Sequence, residues 1–227
     1  RNPDIPQEFR ELMVRMLTHH LENSTNPHYT ALLNKLWERC MSLAPDESTK
    51  VAFAKLMMQE VEHGVITAKI LDGLGTGPVD EPIKQYLFHL PIDSFCDLAM
   101  FHGLGDRVGM YIGETWGSIP YAPMRKVAPK LHKDEVFHAT LGLRNLRRIC
   151  QTPEGRAEAN DLVKKWWPAA LDMFGRSDSE FSPEYVRWGL RKADNATLRR
   201  QYIADTRPLL EEAGIEVPAD QANRRYL

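Results

Sequence analysis

Cysteine is scarce in this chain. Cys40, Cys96 and Cys150 are odd in number, far apart and outside any Cys-x-x-Cys pattern, which argues against a disulfide framework and points to a reducing, cytoplasmic compartment. Excess charge is also missing. Lysine plus arginine number 29 against 31 acidic residues, a net charge of −2, so no broad basic footprint for nucleic acid or an anionic membrane is expected. No apolar run approaches the roughly 18 residues of a membrane span, and mean hydropathy is −0.43. The first residues show no charged segment leading into an apolar one, so no secretory signal is expected. Alternating strand patterns bounded by hairpin turns are absent, and no G-x-G-x-x-G follows a strand, which leaves no sign of a flavin or nicotinamide site.

What the chain does contain is helical periodicity over most of its 227 residues, with 43% hydrophobic and 26% charged residues, the composition of a globular protein. The spacing predicts a first helix over about Pro6 to Glu22, with Phe9, Leu12, Met13, Met16 and Leu17 on one stripe, and a second over His28 to Leu43. A long helix is expected from about Asp46 to Leu74, ended by Gly73, Gly75 and Gly77. Residues 78–92 read as a short helical crossover, followed by a helix from Asp93 to about Trp116 whose Gly103, Gly105, Gly109 and Gly113 permit close packing of a neighbour. Another long helix spans about Pro123 to Cys150, with Pro129 marking a late start or a kink. Thr152-Pro153-Glu154 opens a helix to about Phe174, Ser182-Pro183-Glu184 repeats that signal, and Asp194-Asn195 caps a last helix closing at Gly214. Four long helices with one longer connection in the middle predict an all-α, ferritin-like four-helix bundle over about 6–150. Additional C-terminal helices over about 152–214 complete a single domain spanning 1–227.

Two of these helices carry Glu-x-x-His: Glu60-Val-Glu-His63 and Glu135-Val-Phe-His138. Positions i and i+3 share a helix face, so each pair can offer a carboxylate and an imidazole to one metal ion or bridge two. Glutamate and histidine are common enough that chance matches occur, and location therefore decides. Both pairs fall mid-helix beside Leu56, Met57 and Ile66, and beside Leu131, Leu141 and Leu143, where unpartnered polar groups are costly and a shared metal removes the cost. Di-metal carboxylate bundles add one carboxylate from each of the other two helices. Asp106 is the more inward candidate on the third helix, ahead of Glu114. On the first helix Glu22 is the candidate, with the Ser24 region and Glu38 as alternatives.

The stretch from Ala44-Pro45 through Glu60-Val-Glu-His63-Gly64, the segment Lys133-Asp134-Glu135-Val136-Phe137-His138, and Trp166-Trp167-Pro168-Ala169 with Met173-Phe174-Gly175 carry a resemblance. Over most of its length the chain resembles the catalytic subunits of the bacterial multicomponent phenylacetyl-CoA epoxidases, ferritin-like di-iron oxygenases of phenylacetate degradation. The resemblance implies that Glu60, His63, Glu135 and His138 are iron ligands, with Asp106 the third-helix carboxylate. It implies two iron ions as cofactor and dioxygen and an aromatic acyl-CoA as substrates. It also implies an external electron donor from a separate reductase, an oligomeric state and a partner subunit. Two departures from the family pattern flank the first pair: Gln59 stands where the family has an acidic residue, and Glu62 where it has glycine.

Two other functions fit the same pattern: a metal-free structural subunit of such a complex, and a di-iron hydroxylase or N-oxygenase acting on another substrate. His19, His20, His102 and His132 read as surface or packing residues, with His102 one turn from Asp106 and able to support it. Arg144, Arg147 and Arg148 read as a solvated face or, less readily, a contact for coenzyme A phosphates.

Overall fold

The computed structural model describes residues 5–19 and 23–226, and every regular element among them is helical. α1 (Gln7–His19) begins the bundle, and the expected end at Glu22 lies outside the described residues. α2 (Pro27–Leu43) starts where Asn26 accepts the His28 N–H and Pro27 occupies the first turn. α3 (Glu47–Gly73) is capped by Asp46, whose side chain accepts the Thr49 N–H, and Gly75 follows in the left-handed region at φ 78°. The crossover is mostly extended. Its regular content is one 3-10 turn, Tyr86–His89, so the helical segment expected over 78–92 shrinks to four residues.

The third bundle helix is built from three pieces. A Ser94–Asp97 capping box opens α4 (Phe95–Met100), a π-helical stretch covers Phe101–Asp106, and α5 (Arg107–Ile112) completes it. Helical structure stops at Ile112, short of the expected Trp116, and Gly113 caps the end. α6 (Ala122–Ile149) contains Pro129 in its interior, so that proline does not delay the start. α7 (Pro153–Asp172), α8 (Phe181–Arg187) and α9 (Asn195–Glu211) wrap the bundle. Thr152 and Asp194 cap α7 and α9 as their sequences predict. Ser182 does not cap α8. It sits inside that helix and accepts the Asn195 N–H, tying α8 to the start of α9.

α6 packs along the α4–α5 helix and α3, and α2 lies against α3. At the tightest crossing a Cβ placed on Gly142 would sit 2.1 Å from the Gly103 backbone nitrogen. Only two glycines permit backbones this close, and the contact sets the two helices that carry Asp106 and Glu135 face to face. One core cluster joins Phe53, Leu56 and Met57 to Leu98, Leu104, Trp166 and Tyr202. A second surrounds the apolar stripe of α1, with Ile70, Leu71, Met124 and Leu131. Trp166 and Trp167 are fully buried, and the Trp166 indole donates to Asp97 Oδ1 at 2.8 Å, clamping α7 to α4.

Candidate metal centre

The stripe that buries Leu56, Met57 and Ile70 of α3 also turns His63 inward, with Glu60 one turn earlier on the same face. On α6 the same periodicity places Glu135 and His138 opposite. Both imidazoles are completely buried, and the Glu60 and Glu135 side chains are only 13% and 12% exposed. His138 Nδ1 lies 3.1 Å from Glu60 Oε1 and 3.9 Å from Glu135 Oε1, while His63 Nδ1 lies 3.5 Å from Glu135 Oε1. Ligand atoms of Glu60, Glu135 and His138 fall within 4.8 Å of one another. Two Glu-x-x-His motifs 75 residues apart in sequence therefore meet at one buried point.

The outer edges of the two rings fix their proton positions. His138 Nε2 is 3.1 Å from Gln59 Oε1, which can only accept, and His63 Nε2 is 3.2 Å from Asp134 Oδ2, a carboxylate oxygen. Each Nε2 therefore carries the hydrogen, and each Nδ1 presents a lone pair toward the carboxylates. Gln59 Nε2 donates to Asp134 Oδ1 at 2.6 Å, so a continuous polar chain runs from one histidine to the other. Asp134 also accepts from Lys130 Nζ at 2.6 Å, and Lys130 donates in turn to Glu62 at 2.8 Å. Burial works to raise the Asp134 carboxyl, but Lys130 and His63 outweigh it and hold the group below its ordinary value.

This donor set fits a metal. His138 Nδ1 is shut off from solvent with no hydrogen-bond partner among the described residues, and it faces two carboxylates. Lone pairs converging in a buried space repel unless a cation lies among them. Carboxylate oxygens with imidazole nitrogens suit iron or manganese better than a thiolate-seeking metal.

Asp106, 11% exposed, lines the same cavity as Glu60 and Glu135. Its Oδ2 accepts from His102 Nδ1 at 2.7 Å, and His102 Nε2 faces Cys40 Sγ at 3.7 Å. Burial pushes the Cys40 thiol far above its usual value. It therefore stays protonated and donates to Nε2, leaving Nδ1–H for Asp106. His102 is thus a buried support for Asp106. Neither Asp134 nor Cys40 is identified as a contributor by motif spacing, because both act through contacts made between helices.

The other candidates separate cleanly. Glu114 is exposed and pairs with Lys192 at 2.7 Å, and Glu38 and Ser24 are exposed. Glu22 lies outside the described residues. Arg147 and Arg148 pair with Glu212 and Asp46 on the surface, and neither they nor Arg144 line the cavity.

The carboxylates open onto a cavity of about 560 Å³ walled by Leu36, Phe101, Val108, Ile112 and Leu131, a size and character suited to an organic ligand. Gly109 makes room at its inner end. A Cβ there would lie 3.0 Å from Glu135 Oε2.

The family model described as "Phenylacetic acid catabolic protein" matches residues 33–226, most of the chain. Among curated proteins the chain is similar to one subunit of the 1,2-phenylacetyl-CoA epoxidase of Escherichia coli (strain K12). The two are 23% identical over 94% of this chain and 71% of that protein.

Proposed function

The chain belongs to the phenylacetic acid catabolic protein family, and from that membership we propose that it is a di-iron oxygenase that epoxidises the ring of an aromatic acyl-CoA such as phenylacetyl-CoA. The observation that carries the reading is the convergence of Glu60, Glu135 and His138 on one buried point beside an organic-sized cavity. Glu60, His63, Glu135 and His138 would hold the metal, with Asp106 from the third helix and Glu22, outside the described residues, as the remaining ligands. Held by these residues, iron would supply the redox chemistry for reducing dioxygen with electrons from an external donor.

The chain's own groups do the rest. Gln59 and Asp134 keep the histidine protons on Nε2, so that both Nδ1 atoms stay available as ligands. His102 holds Asp106 by its Nδ1–H. Leu36, Phe101, Val108 and Ile112 form an apolar wall that receives an aromatic ring and excludes water from the carboxylates. The Escherichia coli relative is named as one subunit of an epoxidase, which supports a partner for this chain too; in this reading a separate reductase donates the electrons. Three free, buried cysteines support a reducing, cytoplasmic setting. No described helix is long and apolar enough to cross a membrane.

The test is metal content and product formation. Wild-type protein loaded without oxygen is expected to retain iron and, with a reductase, to convert phenylacetyl-CoA. Glu135→Ala is expected to lose both. Iron retention and full activity in Glu135→Ala defeat the site. Wild-type protein that binds no iron is instead a structural subunit, and one that binds iron yet leaves phenylacetyl-CoA untouched acts on another substrate.

A further inference from the structure

Behind the candidate metal centre, oxidisable side chains line up from the bundle interior toward the surface. Asp106 is held by His102, and the His102 ring meets Phe101 edge-on at 5.1 Å between centroids. Phe101 also walls the cavity, and it meets the Trp166 indole edge-on at 6.0 Å. Trp167 follows Trp166 in the chain and stands 5.8 Å from Tyr202, which in turn stands 5.5 Å from Tyr111. Trp166, Trp167 and Tyr202 are fully buried, whereas Tyr111 is half-buried and its hydroxyl meets the exposed Asp205. The row therefore begins beside a candidate ligand and ends at solvent.

Packing accounts for aromatic rings in a core, but not for the acceptors at the two ends of this row. Trp166 donates its indole N–H to the buried carboxylate of Asp97 at 2.8 Å, and Tyr111 donates its phenol to Asp205 Oδ2 at 2.9 Å. An indole or phenol that loses an electron becomes a strong acid. A carboxylate already in hydrogen-bond contact then takes the proton and leaves a neutral radical. The two middle groups lack that exit. Tyr202 donates to the Leu104 carbonyl at 3.0 Å, an oxygen too weakly basic to carry the proton away. Trp167 Nε1 is buried with no acceptor among the described residues, and the Arg207 guanidinium, 5.3 Å from its ring, opposes positive charge there. An electron vacancy passes through the middle of the row and rests at its ends.

We propose that Trp166 and Tyr111 are the two stations of an electron relay that disposes of partly reduced dioxygen when the cavity holds no substrate. The relay rests on the oxygenase reading above. Trp166 gives one electron to the partly reduced dioxygen by way of Phe101 and His102, and its Nε1 proton to Asp97. Tyr111 then refills Trp166 with one electron through Tyr202 and Trp167, the indole recovers its proton from Asp97, and the phenol proton passes to Asp205. A thiolate in solution returns one electron to Tyr111, which takes its proton back from Asp205, and the thiyl radicals so formed pair as disulfide. Repetition, with protons from solvent, completes the reduction to water. Without the relay, oxidation falls on the side chains beside the metal.

Iron-loaded protein, reduced without dioxygen, is mixed with dioxygen in the absence of any thioester, frozen at successive times and read by electron paramagnetic resonance. An indole radical followed by a phenoxyl radical is expected, each identified by the narrowing of its signal in protein made with ring-deuterated tryptophan or tyrosine. Trp166→Phe should lose the indole radical. Tyr111→Phe, which removes only a hydroxyl from the row, should lose the phenoxyl radical and leave the indole radical longer-lived. Peptide mass spectrometry of both variants should find more oxygen added to Phe101 and its neighbours than in wild type. Wild type that binds iron and consumes dioxygen without forming either radical overturns the relay and leaves the oxygenase reading standing. An unchanged radical spectrum in Tyr111→Phe, or in folded Trp166→Phe, overturns it too. Wild type that binds no iron, or that binds it and leaves dioxygen untouched, overturns both.

Discussion

Gln59 is the residue on which the two halves of the candidate metal centre depend. Its carboxamide accepts from His138 and donates to Asp134, two tasks that need opposite ends of one group. Glutamate has the same shape but cannot donate when ionised, and it would set a second carboxylate 2.6 Å from Asp134 Oδ1. Gln59→Glu is therefore expected to lower metal affinity by roughly 10–100-fold, the usual scale for a lost hydrogen bond behind a ligand. Anaerobic titration with Co²⁺, followed by its visible absorption, checks this, and an unchanged titration would remove Gln59 from the network. The role of Gln59 is not visible in the sequence, because Asp134 lies 75 residues away and the two meet only across α3 and α6.

At the scale of elements, the third bundle helix is the most constrained part of the fold. Its π-helical turn ends at Asp106, and α6 approaches it with backbone contact at Gly103 and Gly142. Gly142→Ala would force Cβ to within 2.6 Å of His102 C as well as of Gly103. Neither helix can retreat without moving Asp106 or His138. A loss of about 3 kcal/mol in unfolding free energy is expected, read by chemical denaturation, with a parallel loss of bound metal. Glycines spaced along the third helix announce a close neighbour but not which one. Helix starts were legible where a short polar side chain could reach its own backbone, as at Thr152 and Asp194. Ser182 carries the same local pattern, yet its hydroxyl is taken by Asn195 from another helix.

Across the whole molecule, buried carboxylates tie helices together, Asp97 joining the bundle to α7 and Asp134 joining α6 to α3. Asp97 accepts from Trp166 and Lys165 of α7, each at 2.8 Å, and Asp134 from Lys130 and His63. Burial acts to raise the Asp97 carboxyl, but Lys165, Trp166 and the Asp93 N–H hold it below its ordinary value, as Lys130 and His63 do for Asp134. A carboxyl that binds its proton less readily in the folded state stabilises that state at neutral pH. The stabilisation fades once pH falls below the ordinary carboxylate value near 4. Thermal melts should be flat from pH 7 to about pH 5 and fall steeply below it. Asp97→Asn should flatten the acid limb, and an unchanged limb would mean that Asp97 contributes no pH dependence.

The sequence by itself determined the all-helical class, the bundle with its mid-chain crossover and the four residues that meet at its centre. Helical periodicity is a local property, and a glutamate and a histidine three residues apart share a face whatever they pack against. Tertiary structure alone decided that His63 leans on an acid and His138 on an amide, and that Cys40 and His102 stand behind Asp106. Those facts depend on distances between helices, which no spacing along one chain encodes.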